Sequence, residues 1–463
     1  MEDNQKIQKI YMIQDIANYG RTVDNLPSGN IVKFNGFDAE VNEEDVGYFQ
    51  RMDDFVVKGY REVYIVKLTE EMLSVSPARV ILELHGLMYG GSGFAEAMRN
   101  VVLSLYKEGF IIVAHPVDQL NADGLQLESS RAGTILKKLS HIRYDFSELK
   151  TPVKHLSIEM TVPDGVKRKN NMYNIGYVMF ETQEWPLKFT QHLDINVDEL
   201  WVPSQFNVNN VKDSGWKKPI HRMPLGVNVK RFDPEKVNPF RKGESPIANY
   251  KDKFIFLTVM GYSARKGIYQ LYEAYLKEFK KNEKVVLYIK AAWFPLEKAQ
   301  VDVDTAIQQF NSHDTPEIVL DFQIYRDKDH PRLYKSANAF VLPSYGEGWS
   351  LTHTEAMSMA LPTIGTKATS MVDFMNESNS YSVKVGRYGT DDRCNWITPL
   401  YVNAIFSIPD VDDLRRQMRN IFDNQKRAKE IGGKARQDME TKWTWDNAAK
   451  LQTERIKEIV KNL

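Results

Sequence analysis

The sequence predicts an α/β protein built on two open parallel sheets, and three observations carry that expectation. A chain of 463 residues is too long for one ordinary hydrophobic core, so two domains are expected. From Ala78 an apolar run, a glycine-rich loop, an amphipathic segment and a second apolar run follow in order, the β-loop-α-β start of a doubly wound sheet. The order recurs from Phe254, where FIFLTVM leads through a short loop into a segment with Leu271, Ala274, Tyr275 and Phe279 at helical spacing. In such sheets ligands bind beyond the carboxyl ends of the strands.

Composition narrows the classes. A hydrophobic content of 42% with 26% charged residues fits a soluble globular protein. Lys+Arg and Asp+Glu each total 61, so no net field favours nucleic acid as a partner. No apolar run reaches the roughly 18 residues of a membrane span. The first residues, MEDNQKIQKI, are polar, so no secretory leader is expected and a cytoplasmic location is. Cys394, the single cysteine, reads as a structural thiol.

Residues 1–76 mix aromatics and charges without clean periodicity and read as an ordered extension of unassigned role, packed on the first domain. That domain is expected over 77–235. Its first strand, ARVILELHG, runs into Gly91, Ser92 and Gly93, then a helix from Phe94 to about Glu108 and the strand FIIVAHP. A glycine cluster between strand and helix is either a plain turn or a place where backbone N–H groups meet a diphosphate. Over 121–150, Arg131, Lys137, Lys138, His141 and Arg143 interleave with Ile135, Leu136, Leu139 and Ile142. That pattern is an ordinary surface helix or a basic face turned to an acceptor or a membrane surface. VKHLSIEM and NIGYVMFE are two further strands, the second leading to Glu181; Ser204 then caps a helix. Residues 236–252, with Pro239, Gly243 and Pro246, read as a linker.

The second domain is expected over 253–442, and 443–463 as a helix crossing back to the first. Gly261 to Gly267 reads GYSARKG. Arg265 and Lys266 in a strand-to-helix loop can neutralise a diphosphate. Two merely solvated cations there would oppose the helix dipole. VVLYIK, EIVLDFQ and AFVLP complete the sheet. Asp302 and Asp304 form a D-x-D pair, a metal motif or the capped start of a helix over Thr305 to Phe310; the helix start is expected. No cluster of metal-ligand spacing occurs elsewhere, so no metal is expected.

The most informative stretch is Ala339 to Thr363: an apolar strand to Pro343, a turn over Ser344 to Gly348, and a helix from about Ser350 that Leu361-Pro362 closes. The free amides at its start, around Gly348, Trp349, Ser350 and Leu351, make an anion site suited to phosphate. Glu347 lies in the turn, and Glu355 lies roughly 7–8 Å further along the helix axis. Either Thr352 and Glu355 form a capping box beside a solvated Glu347, or the two carboxylates flank a phosphorylated, hydroxyl-rich ligand.

Glu347 to Glu355 matches the E-x7-E signature of retaining glycosyltransferases with the GT-B fold. Residues 78–463 resemble that family (family 4-like, group 1) in several ordered motifs: the glycine loop, Phe180-Glu181-Thr182, the exit through VDELWVPSQ, and Arg265-Lys266-Gly267. The resemblance implies two Rossmann-like domains facing a central cleft. It implies transfer of a hexose from a UDP- or GDP-sugar to a hydroxyl of a glycan, glycoprotein or lipid-linked saccharide, with retention and without a metal cofactor. Carried over residue by residue, Glu347 contacts the transferred sugar and Glu355 the ribose. Lys266 and Arg265 meet the diphosphate, with backbone at Gly261, Gly91–Gly93 and Gly348–Leu351 lining the donor site. Glu181 stands where many relatives have a histidine and is an active-site carboxylate or a strand-end salt bridge. Tyr262 stands where many have an arginine. Those departures favour the rival, a nucleotide-sugar-binding scaffold without turnover. An epimerase or a phosphorylase would keep the fold, but a phosphorylase needs a pyridoxal lysine that nothing here supports.

Overall fold

The computed structural model describes residues 5–15, 22–23, 32–33, 38–42, 45–46, 55–118, 131–311, 313–394 and 401–463. Six parallel strands make the first large sheet: β1 (Val80–Gly86), β2 (Ile111–Pro116), β3 (Lys154–Met160), β4 (Tyr173–Tyr177), β5 (Glu199–Val202) and β6 (Ile220–Arg222). Their order is β6-β5-β4-β3-β1-β2. The second sheet holds β7 (Phe254–Gly261), β8 (Val285–Ala292), β9 (Glu317–Asp321), β10 (Ala339–Leu342), β11 (Thr363–Thr366) and β12 (Tyr381–Val383), in the order β9-β8-β7-β10-β11-β12. Seven of the eight residues of β7 are buried, as expected for a central parallel strand covered on both faces.

Each sheet reverses its winding at one point, between β1 and β3 in the first and between β7 and β10 in the second. A crevice opens there at the strands' carboxyl ends. Helix α1 (Gly93–Lys107) follows β1, α2 (Ile268–Glu278) follows β7, and α3 (Leu351–Ser358) follows β10. The two crevices face each other. A Cβ added to Gly93 would lie 4.0 Å from Leu351 Cδ1, and one on Gly346 would lie 1.9 Å from the Glu181 carbonyl oxygen. Gly346 can therefore carry no side chain at all.

Several expectations are corrected. The helix containing Asp302 and Asp304 spans Leu296–Phe310, with Pro295 at its N-cap, so both aspartates lie mid-helix and not at its start. Asp302 accepts from the Tyr262 and Tyr269 hydroxyls at 3.0 and 3.2 Å, and Asp304 accepts from Gln300 at 2.9 Å. The basic stretch is a helix only over Arg131–Ser140; Ile142 and Arg143 belong to a strand, Ile142–Asp145. Leu136 and Leu139 are buried and Ile135 packs on the same core, which removes the apolar face that a membrane contact would use. Residues 121–130 of that stretch lie outside the described residues. No helix among those described is long and apolar enough to cross a membrane.

In the N-terminal region, Gln5–Asp15 pairs antiparallel with Asp38–Asn42 and with Phe55–Lys67. Phe55–Lys67 also pairs parallel with Ile142–Asp145, which the chain supplies from between β2 and β3 as the fourth strand of this sheet. The last helix, α4 (Trp445–Asn462), packs on α1 and β5. Its entry is tight: Val227 donates to the Trp443 carbonyl at 2.9 Å, and a Cβ on Gly226 would lie 2.2 Å from Trp445 N.

The anchor of α4 is ionic. Glu199 on β5 is fully buried and receives the Arg455 guanidinium at 2.5 Å, Trp201 Nε1 at 2.7 Å and the Tyr173 hydroxyl at 3.2 Å. Removing one partner of a buried pair strands the other charge, at about 3 kcal/mol or more. Arg455→Leu should therefore lower the unfolding free energy by about that amount, and Arg455→Leu with Glu199→Gln should recover part of it; denaturant titration of the two variants checks both.

Candidate active site

The loop after β7 and the turn after β10 lie side by side because Gly267 permits it. Its φ is +73°, and a Cβ there would lie 2.0 Å from the Pro343 carbonyl oxygen. Tyr345 N donates to the Arg265 carbonyl at 2.8 Å, locking the two segments. Their side chains meet in one chain of charges. Lys266 Nζ lies 2.6 Å from Glu347 Oε1, which also accepts from Ser344 Oγ at 2.6 Å. Arg265 donates to the Gly346 carbonyl at 2.6 Å, and its guanidinium lies 3.4 Å from Glu347 and 3.5 Å from Glu181. Glu347 N donates to Thr369 Oγ1 at 3.0 Å. Glu181, Arg265, Lys266 and Glu347 thus form one cluster of two carboxylates and two cations, drawn from both sheets.

Glu347 is only 5% exposed. Burial pushes its carboxyl up, but the charges of Lys266 and Arg265 and the hydrogen bonds from Lys266 and Ser344 outweigh that and hold it down at about 2. Burial, with the charge of Arg265 beside it, pulls the Lys266 ammonium down, and the charge and hydrogen bond of Glu347 oppose the shift.

Helix α3 starts from Ser350, whose φ of +83° is costly for a residue with a side chain. Its hydroxyl does not cap the helix and lies instead 2.7 Å from Nδ1 of the buried His353. The start of α3 carries no side-chain cap, and the Leu351 side chain lies opposite Gly93 of α1, 4.0 Å from where a Cβ would stand. The capping box is not formed, since Thr352 is inside the helix and Glu355 Oε2 accepts from the Tyr334 hydroxyl at 2.7 Å. Glu355 is half-buried, and burial is the main cause that raises its carboxyl to about 7. Tyr334 and Arg231 pull it down, while Glu96 and Asp327 push it up. Arg231 bridges Glu96 of α1 (3.2 Å) and Asp327 beyond β9 (2.5 Å), so a second ionic link joins the two sides of the cleft beside Glu355.

The remaining residues singled out from sequence divide. Gly91 faces open space, whereas Ser92 caps α1 by accepting from Ala95 N at 3.2 Å. The amides of Met88, Tyr89 and Gly90 are held by Asp118 at 2.7–2.8 Å, so the loop offers a ligand only its glycine end. Gly348 packs against Met179, and the Trp349 ring is core, 5.2 Å from Phe374 and 5.3 Å from Trp443. Gly261 is covered by the Trp293 ring, 2.8 Å from where a Cβ would stand. Sequence reasoning missed Ser344, Thr369, Tyr334, Arg231 and Tyr401, the last donating to Glu181 Oε2 at 2.9 Å. Ser344 was within reach, three positions before Glu347 in the same turn; the others come from distant segments with no local signal. No group of three or more acidic, His or Cys side chains among the described residues could hold a metal ion.

Residues 241–387 match the family model described as Glycosyl transferases group 1, a segment that contains Arg265, Lys266, Glu347 and Glu355 but not Glu181. No curated protein matches the chain in sequence. Among solved structures, the chain is similar to the sucrose-phosphate synthase of Thermosynechococcus elongatus, at TM-score 0.57 and 15% identity over 83% of this chain and 100% of that one. It is also similar to a glycosyltransferase of Rickettsia africae, at TM-score 0.57 and 18% identity over 83% and 99% of the two chains. The HepE protein of Anabaena, in complex with UDP-glucose, aligns at TM-score 0.54 and 11% identity over 83% and 100%. At such identities the likeness establishes the fold, which is GT-B.

The raised carboxyl of Glu355 makes stability depend on pH with a definite sign. Its folded value, about 7, lies above the ordinary 4.5, so the folded state holds the extra proton between those values. Its contribution is full below about pH 4.5 and is lost as pH rises through 7. Glu355→Gln should gain thermal stability relative to the parent at pH 8 and show no gain at pH 4.5; melting curves at the two pH values measure the difference.

Proposed function

We propose that the protein is a retaining glycosyltransferase that moves a hexose from a nucleotide-diphosphate sugar to an acceptor hydroxyl without a metal ion. The observation that carries this reading is the Lys266–Glu347–Arg265–Glu181 cluster. It lies beside the uncapped start of α3, where the carboxyl ends of both sheets meet. Breaking the bond from sugar to diphosphate puts negative charge on the leaving phosphate and positive charge on the ring carbon, as in glycoside cleavage. Lys266, Arg265 and the amides at the start of α3, with those of Gly91–Gly93 opposite, meet the first charge. Glu347, an ionised carboxylate screened from water, meets the second. Glu355, one and a half turns into α3, takes the ribose hydroxyls, and Glu181 faces the acceptor side. UDP-glucose, bound by the HepE protein, is the first donor to try.

The scaffold reading rests on Tyr262, which stands where many relatives have an arginine, and on Glu181. Tyr262 is packed into the second domain, stacked on Phe294 at 4.8 Å with its hydroxyl on Asp302 and Tyr272. Arg265 supplies the cation at the cluster instead. Incubation with a panel of nucleotide sugars and acceptors, in the presence of a chelator, tests the proposal. Release of nucleotide diphosphate undiminished by the chelator is expected. Binding without release would favour the scaffold, and activity that returns only with Mn²⁺ or Mg²⁺ would remove the metal-independent step.

The two glutamates should fail differently. Losing a hydrogen bond to a charged group costs about 1.5–3 kcal/mol, so Glu355→Gln should weaken free nucleotide diphosphate by about 10–150-fold. Glu347→Gln should leave that affinity within about threefold while lowering kcat, because its contact strengthens only as the sugar gains charge. Calorimetric titration of each variant with free UDP or GDP, set beside its turnover, decides the assignment; a reversed pattern exchanges the two roles.

A further inference from the structure

Beyond the matched family segment, the chain leaves the second sheet and reaches across to the first. Val385–Gly389 pairs antiparallel with Phe406–Pro409, and the described residues just before that second strand lie on the far side of the cleft. Gln183 N donates to the Ile405 carbonyl at 2.8 Å, and Gln183 Nε2 donates to Ser407 Oγ at 2.5 Å. Ser407 N donates in turn to the Tyr345 carbonyl at 3.1 Å, one residue before Gly346. Tyr401, Phe406 and Ile408 share a buried apolar cluster with Phe180, Trp185 and Phe189 of the first domain and with Tyr345 and Ala264 of the second.

At the head of this segment Tyr401 is 6% exposed, with its ring 5.8 Å from Phe180 and 5.5 Å from Phe406. Its hydroxyl donates to Glu181 Oε2 at 2.9 Å, while the other oxygen, Oε1, faces Arg265 at 3.5 Å. The Arg265 guanidinium also stands 5.9 Å from the centre of the Tyr401 ring. A carboxylate held by one neutral donor and one cation has a fixed orientation. Without the neutral donor it can turn both oxygens to the guanidinium, which then leaves Gly346 and Glu347.

We propose that Tyr401 is a positioning residue for the transfer reaction. It fixes the Glu181 carboxylate so that Arg265 stays divided between Glu181 and Glu347 and remains available to the leaving diphosphate. The role rests on the transferase reading given above. Its effect falls chiefly on turnover, because the phosphate that Arg265 meets gains charge as the bond to the sugar breaks.

The test is a double-mutant cycle in kcat with Tyr401→Phe, Glu181→Gln and both together, on the donor and acceptor that the parent turns over. Tyr401→Phe keeps the ring and should lower kcat by about 10–100-fold, the scale of one hydrogen bond to a charged group, with donor KM within about threefold. In the Glu181→Gln background the same change should cost less than about threefold, since the two residues act as one unit. Glu181→Asp, which withdraws the carboxylate from an intact Tyr401, should reproduce the kcat loss and keeps the test open if Tyr401→Phe fails to fold. An equal loss in both backgrounds, no loss in Tyr401→Phe, or a loss confined to KM would overturn the positioning role while leaving the transferase intact. A parent that releases no nucleotide from any donor would instead remove the reading on which the role rests.

Discussion

The cleft is organised by one buried ion pair, Lys266 with Glu347. Bringing two charges out of water costs several kcal/mol each, and their attraction recovers it only when the geometry is close and the remaining lone pairs are occupied. Both conditions are met, by the 2.6 Å contact and by Ser344 on the same carboxylate oxygen. The geometry in turn needs Gly267, whose positive φ lets the loop of β7 lie on the turn of β10, and Gly346, which lets that turn touch the Glu181 carbonyl. The pair is therefore a property of the whole domain arrangement.

Two carboxylates on one strand-turn-helix unit are driven in opposite directions. Glu347 is pulled down to about 2 by two cations, and Glu355 is pushed up to about 7 by burial with Glu96 and Asp327 near it. Groups whose environments separate their ionisation in this way are suited to different tasks. Glu347 is a permanent charge, fit to face a ring that becomes positive. Glu355 gains most from a ligand that donates to it, because each new donor favours the ionised form that burial disfavours. On the proposed assignment a ribose, with two hydroxyl donors, would supply that, and its binding would be accompanied by loss of a proton near neutral pH.

Much of this was legible in the sequence, and the reason lies in locality. The β-loop-α-β order and the turn around Glu347 are set by periodicity and by glycines within a few residues of each other. Arg265 and Lys266 announce themselves by their place before a helix. Tyr334, 21 positions before Glu355, and Tyr401, 220 positions after Glu181, carry no such signal, because each is brought in by sheet winding or by the crossing segment. The helix around Asp302 starts about two and a half turns before the sequence signal for a physical reason: its N-cap is Pro295, which leaves no side-chain acceptor to mark the start, while the two aspartates imitate one. The strand Ile142–Asp145 is not marked in the sequence, because its partner, Phe55–Lys67, lies far back in a region without readable alternation.

Departure from a family pattern is a poor sign of lost function until the replaced side chain has been located. Tyr262 does not leave a gap in the cleft, since it is 4% exposed and bonded to Tyr272 and Asp302 within the second domain. The cation is supplied three residues on, by Arg265, which reaches Gly346, Glu347 and Glu181 together. Glu181 in its turn adds a negative charge where the cluster already holds two positive ones and one negative, which brings the four side chains to neutrality. A neutral cluster can be buried at tolerable cost, whereas Arg265 and Lys266 with Glu347 alone would carry an unpaired charge into a site of low dielectric. Arg265 and Glu181 are thus coupled by charge: a cation at Arg265 calls for a second carboxylate within its reach.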